Sequence, residues 1–175
     1  MERPLIELEN VSVTLRNLEI PMVTGVSFAV RPREIFGIVG ESGSGKTLLT
    51  RTIFALHEDT YLSAGKVTFD GEVLPLNGYM KAMKRRLGHA IGYIPQDPFA
   101  SLNPTMRVGE QITEALYLAK GYPQKSERAR EAAIGLLAEV GIAEPALAFR
   151  QFPDQFSGGM RQRIVIAIAL PQDPR

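Results

Sequence analysis

Gly40-Glu41-Ser42-Gly43-Ser44-Gly45-Lys46-Thr47 satisfies the phosphate-cradling pattern G-x-x-x-x-G-K-[ST] at every constrained position. An apolar β-type run, Ile35 to Val39, precedes it, and a helical stretch, Leu48 to Leu56, follows. A loop in that setting predicts a nucleoside triphosphate site. Glycines let the backbone approach the phosphates with no Cβ in the way, while successive N–H groups and the helix N-terminus direct partial positive charge at them. Lys46 is placed to reach the β- and γ-phosphates, and the Thr47 hydroxyl to hold Mg²⁺. The plain alternative, a Gly/Ser-rich turn, is disfavoured by the strand-loop-helix context.

The 175 residues suit one domain, or one with a small satellite, and a hydrophobic share of 45% is enough for a packed core. With 20 basic and 19 acidic side chains the net charge is only +1, which argues against nucleic acid as the main partner. The densest basic cluster, Lys81, Lys84, Arg85 and Arg86, reads as the solvated face of a short helix. There is no cysteine, hence no disulfide framework and no thiolate metal site, which is consistent with a reducing cytosol. Met1-Glu2-Arg3-Pro4 lacks the apolar core of a secretory signal, and no apolar run approaches the roughly 18 residues a bilayer requires. A membrane role is therefore expected only through a partner.

The stretch before the loop is β-rich: Leu5 to Glu9 and Val11 to Val13 alternate, and Val23 to Val30 is β-prone. Val67-Thr68-Phe69, the Asp70-Gly71 turn and Glu72-Val73-Leu74 predict a hairpin. Tyr79 to Arg86 is expected to be helical and Ala90 to Ile94 a buried strand. From Arg107 onward helices dominate. Ala129, Ala133, Leu136, Leu137 and Val140 recur at helical spacing, with Ser126 as N-cap and Gly141 as the stop, a stripe that reads as core packing.

Two further features bear on chemistry. Gln96 follows the expected strand Ala90 to Ile94 and lies between two prolines. At the carboxyl end of a parallel strand it faces the ligand crevice, where its amide oxygen can serve Mg²⁺ or orient a water; the bland reading is a loop amide. Phe156-Ser157-Gly158-Gly159-Met160, running into Arg161-Gln162-Arg163 and the apolar helix Ile164 to Leu170, reads as a second anion-binding helix start. Its bland reading is an ordinary helix cap.

The order of loop, Gln and Ser-Gly-Gly resembles the nucleotide-binding subunit of ATP-binding-cassette (ABC) transporters. Gly40 to Thr47 matches the Walker A motif, Gln96 the Q-loop glutamine, and Phe156 to Met160 the signature usually written Leu-Ser-Gly-Gly-Gln. The resemblance covers essentially the whole chain. Gln96-Asp97-Pro98, Ser101-Leu102-Asn103-Pro104, Val108-Gly109-Glu110-Gln111 and Ser157 to Arg163 look most like importers of dipeptides, oligopeptides or nickel.

The resemblance implies an α/β P-loop NTPase fold with an antiparallel β portion and an α-helical subdomain. Its expected divisions are a nucleotide-binding core over residues 1–98, a helical subdomain over 99–156, and the signature helix and chain end over 157–175. It also implies ATP and Mg²⁺ as ligands, the metal being served by Thr47 and Gln96. Two ATP-binding subunits would pair head to tail, each ATP lying on one Walker A loop and capped in trans by Ser157, Gly158, Gly159 and Met160 of the other. The Gln96 loop and the segment from Phe99 to Gln155 would dock on a membrane-spanning permease, placing the subunit peripherally at the cytoplasmic face of the cell membrane.

Two residues depart from the family pattern. Leu15 stands where adenine usually finds a stacking aromatic, so apolar contact alone is expected there. Met160 replaces the usual signature Gln, a change shared by peptide and nickel importers. After the signature helix the chain reads Pro171-Gln172-Asp173-Pro174-Arg175. The family's next strand, with its Mg²⁺-supporting Asp and water-polarising Glu, and its later switch histidine are not in this sequence; His57 and His89 precede the signature. The sequence therefore reads as the N-terminal part of a longer ATPase, and little hydrolysis is expected of it alone. The rival readings are a nucleotide-dependent binding module without hydrolysis and a DNA-repair or chromosome-maintenance ATPase. The latter usually inserts coiled coils or zinc modules between Gln and signature, and the segment from Gln96 to Ser157 has neither sustained heptads nor cysteines.

Overall fold

A computed structural model describes residues 3–88 and 90–172. Met1, Glu2, His89 and the Asp173-Pro174-Arg175 end lie outside the described residues. Internal contacts group the chain into two units, one ending at Arg86 and one beginning at Leu87, so Gln96 and the signature helix share a unit with the helical segment.

The first unit is built on an antiparallel sheet of order β2-β1-β3-β4, made of β1 (Ile6–Leu15), β2 (Pro21–Val30), β3 (Thr60–Phe69) and β4 (Glu72–Leu74). Leu8, Val11 and Val13 of the central β1 and Leu62 and Val67 of β3 are buried. The Asp70-Gly71 turn has φ of 47° and 74° at its two residues, the paired positive values that a two-residue hairpin turn needs to match strand twist. Helix α1 (Lys46–Ile53) buries Leu49, Thr52 and Ile53. The Thr52 hydroxyl meets that of Thr60 at 2.8 Å, fixing α1 to the start of β3. The phenol of buried Tyr79, on α2 (Tyr79–Lys84), donates to the Ile53 carbonyl at 2.6 Å.

Two expected strands do not form. Ile35 to Val39 has no regular structure, and Ile35 and Val39 are 101% and 92% exposed. Ala90 to Ile94 makes only an isolated parallel bridge, Leu87 with Ile91, and leaves Tyr93 and Ile94 exposed rather than buried. An apolar run becomes a strand only when a neighbour takes its N–H and C=O groups, and among the described residues no strand pairs with either segment. Phe36 nevertheless anchors the first run, its ring stacked on Phe28 of β2 with centroids 4.8 Å apart.

The second unit contains α3 (Val108–Lys120), α4 (Glu127–Glu139), the short α5 (Pro145–Ala148) and α6 (Gly158–Ala169). Its core joins Leu102, Val108, Ile112, Leu116, Ala133, Leu137, Phe156 and Ile164. Ser126 caps α4, its hydroxyl accepting from the Ala129 N–H, and Gly141 follows the helix with φ of 75°, both as the sequence predicts. The N–H groups of Val108 and Gly109, which open α3 and have no partner within it, donate to the carbonyls of Gln151 and Phe149 at 2.9 Å each.

Candidate functional site

The loop from Gly40 to Thr47 ends in the N-terminus of α1. Its backbone takes left-handed turns at Gly43 (φ 82°) and Gly45 (φ 89°), a region that L side chains avoid. Gly45 is also under steric demand, because a Cβ there would lie 2.6 Å from Cγ2 of Val23 on β2. The loop thus rests directly on the sheet. Gly45 is the N-cap of α1 and, having no side chain, gives the first N–H groups of the helix no side-chain cap. Lys46 Nζ donates to the carbonyls of Gly40 (2.8 Å) and Glu41 (2.5 Å) and to the Ser44 hydroxyl (3.2 Å), so the loop wraps its own cation.

Beside the loop lies a cavity of about 280 Å³ lined by Met22, Gly43, Gly45, Lys46, Thr47 and Leu48. Backbone amides, one ammonium and one exposed hydroxyl at a helix start make a seat for a polyphosphate. Ser42 and Glu41 are exposed members of the same loop. Among the described residues no cluster of three or more His, Cys, Asp or Glu side chains could hold a metal. The donor set fits Mg²⁺ held by the Thr47 hydroxyl together with phosphate and water oxygens, rather than a cage built from protein carboxylates. Leu15 ends β1, where it pairs with Thr60, and is not among the residues lining this cavity.

In the second unit Gln96 is exposed on an irregular segment; because the strand before it does not form, it does not occupy a strand's carboxyl end. Asp97 shapes the next turn, its carboxylate accepting from the Phe99 N–H at 2.8 Å and its carbonyl from the Ser101 hydroxyl at 2.6 Å. Ser157 caps α6, its hydroxyl accepting from the Met160 N–H at 3.4 Å, with Ser157, Gly158 and Gly159 exposed. Arg161 braces this turn by donating to the carbonyls of Phe156 (2.9 Å) and Asp154 (3.2 Å). Gly40 to Thr47 thus lie in the first unit, and Gln96 and Ser157 to Met160 in the second.

Sequence reasoning missed Met22 and Val23, since a β2 residue carries no mark of lying against a distant loop. It also read Asn103 and Gln111 only as markers of resemblance. They bond each other: the buried Gln111 amide donates to the Asn103 and Met106 carbonyls and accepts from the Asn103 N–H.

Residues 23–175 match the family model described as ABC transporter. The chain is 42% identical to the oligopeptide transport ATP-binding protein OppD of Bacillus subtilis, covering 98% of this chain and 48% of that protein. It is 41% identical to OppD of Mycobacterium tuberculosis (98% and 28%) and 39% identical to a putative peptide import ATP-binding protein of Brucella abortus (98% and 52%). It thus spans about half the length of two of these relatives and less of the third. Among solved structures, the dimeric structure of MJ0796, a bacterial ABC transporter cassette, superposes with a TM-score of 0.79 at 26% identity, covering 97% of this chain and 70% of that one. The cbiO1 protein of Clostridium perfringens, part of the ABC transporter complex cbiONQ, shares the fold with a TM-score of 0.75 at 19% identity (99% and 63%).

Proposed function

The chain belongs to the ABC transporter family, with the P-loop NTPase fold of its cassettes, and on that premise we propose that it is an ATP-binding, energy-coupling part of a peptide importer. The observation that carries this reading is the loop Gly40 to Thr47, folded on β2 with Lys46 wrapped at its centre and the N-terminus of α1, without a side-chain cap, beside it. The names of the relatives support peptides as cargo; the same motif residues suit a nickel importer as a second cargo class.

In this reading Lys46 exchanges its loop carbonyls for the β- and γ-phosphates of ATP, while backbone amides of Gly43 to Thr47 hold the remaining phosphate oxygens. Thr47 holds Mg²⁺, which when bound neutralises phosphate charge. Among the described residues the cavity is lined by Met22, Gly43, Gly45, Lys46, Thr47 and Leu48, which would supply binding and positioning, while a general base would come from other groups. Gln96 would position water or metal. Ser157, Gly158, Gly159 and Met160 would cap the nucleotide of a second ATP-binding subunit, and the helical segment would dock on a permease. No helix among the described residues is long and apolar enough to cross a membrane.

Calorimetric titration with MgATP tests the core of the proposal. Wild type should bind, and Lys46→Ala should bind far more weakly because the charge on the β/γ-phosphates is lost; equal affinities would refute the assignment.

A further inference from the structure

We propose that the tip formed by the end of α3 and the start of α4 is a membrane-contact surface, seated directly on the headgroups of a bilayer that contains anionic phospholipid. This goes beyond the ATP-binding reading and does not depend on it.

The chain between Ala115 and Ser126 carries no acidic residue. In that stretch Lys120 closes α3 and Lys125 lies in the connecting loop, both exposed, and Arg128 follows in the first turn of α4. Neither lysine takes part in an ion pair among the described residues. Glu127, the acid next in sequence, is taken by Arg130 at 2.8 Å. The carboxyl end of α3 and the amino end of α4 both lie at this tip, so the opposed partial charges of the two helices offset each other and the side chains set its sign, which is positive. A lysine at a helix carboxyl end also serves as a plain dipole partner; that accounts for Lys120 and leaves Lys125 without a role.

Two large apolar side chains sit beside these charges. Tyr117 and Leu118, adjacent in the last turn of α3, are 51% and 58% exposed, while Ile112 and Leu116 of the same helix are in the core. The connecting loop is held in place. Tyr122 packs against the core, and the Arg128 guanidinium stacks over its ring, 4.2 Å from the centroid, and donates to its hydroxyl at 3.2 Å.

This composition selects the occupant. Lysine is depleted from protein–protein interfaces, whereas an anionic bilayer surface attracts lysine ammonium groups and takes a tyrosine ring into its interfacial layer. The denser basic cluster on α2 lacks the combination: Lys84 and Arg86 are tied to Glu58 and Glu72, and Tyr79 and Met83 of that helix are buried.

The test is co-sedimentation of the full chain, without nucleotide, with vesicles of phosphatidylcholine alone and of phosphatidylcholine with about one-third phosphatidylglycerol. The protein should bind the anionic vesicles and not the neutral ones. Raising the salt from about 0.1 to 1 M, which shortens the screening length from about 10 to 3 Å, should release it. Each cation near an anionic surface contributes about fivefold in affinity, so Lys120→Gln combined with Lys125→Gln should weaken binding about 25-fold. Lys81→Gln combined with Arg85→Gln, on α2, should leave it unchanged. The chain has no tryptophan, so Tyr117→Trp supplies a single reporter whose emission should shift to the blue on anionic vesicles. Equal binding to neutral and anionic vesicles, equal losses from the tip and α2 pairs, or no shift in the Tyr117→Trp protein would overturn the proposal. Absence of vesicle binding by the wild type would also overturn it and leave the tip to a protein partner. Lys46→Ala should bind vesicles as the wild type does, which keeps this result separate from the nucleotide reading, and far-UV circular dichroism of each variant separates loss of binding from loss of fold.

Discussion

The guanidinium of Arg161 lies over the ring of Phe99, 4.4 Å from its centroid, while its N–H groups hold the carbonyls of Phe156 and Asp154. One side chain in the first turn of α6 thus ties the loop after Gln96 to the turn that presents Ser157. Gly158 lies beside the same ring, where a Cβ would sit 3.7 Å from Phe99 at ordinary van der Waals distance.

Deleting the two ends of this contact should have unequal effects. Phe99→Ala removes a partly exposed cation–π pair worth about 0.5–1 kcal/mol. Arg161→Ala also strips a charged donor from two carbonyls and should cost about 1.5–3 kcal/mol. Urea unfolding of both single variants and the double variant will check this. Strictly additive losses would mean the ring and the guanidinium do not interact.

Gly45→Ala should disable the loop by two routes at once. The left-handed backbone costs an L residue about 1–2 kcal/mol, and the new methyl meets Val23 at van der Waals overlap. Adding Val23→Ala relieves only the second strain. Nucleotide affinity should therefore fall sharply in Gly45→Ala and recover only in part in the double variant, as read by calorimetry.

Gln111→Leu keeps the volume of a buried side chain and removes its three hydrogen bonds with the segment 103–106. Leaving the Asn103 and Met106 groups unpaired should cost about 1–3 kcal/mol of stability. The lowered urea midpoint should be accompanied by faster amide exchange at Asn103.

Tyr79 gives the first unit an alkaline limit. Burial pushes its phenol well above the usual value, partly opposed by the nearby Arg86 charge. The folded state therefore favours the protonated phenol, so the stabilisation is fully present below the unfolded value of about 10 and is lost as pH rises above it. Tyr79→Phe should lower stability near neutrality by about 0.5–1.5 kcal/mol through loss of the bond to Ile53, and should flatten the alkaline decline. Urea midpoints measured across pH 8 to about 11 will show whether the two curves converge.

The parts legible in the sequence were those fixed by local chemistry. Asp70-Gly71 demands its turn, Ser126 and Ser157 cap the helices they precede, and the spacing of Ala129, Ala133 and Leu137 alone buries one face of α4. Gly40 to Thr47 was legible for the same reason, since its backbone path is written in its glycines. The two misread segments, Ile35 to Val39 and Ala90 to Ile94, are apolar enough for strands, but strand formation is a property of pairs and their composition names no partner. Met22 and Arg161 were invisible for a related reason. Their positions matter only through what the fold brings beside them, Gly43 and Gly45 to Leu48 in one case and Phe99 in the other.

The wrapped Lys46 has a kinetic meaning. Its ammonium already supplies the loop with an internal positive centre, bonded to the Gly40 and Glu41 carbonyls and the Ser44 hydroxyl. On the proposed reading, an arriving polyphosphate would take over the ammonium from these loop partners, so the cation would not have to be brought in. Association should then be limited by encounter and by the breaking of those three hydrogen bonds, and differences in affinity among ligands should reside mainly in how fast they leave.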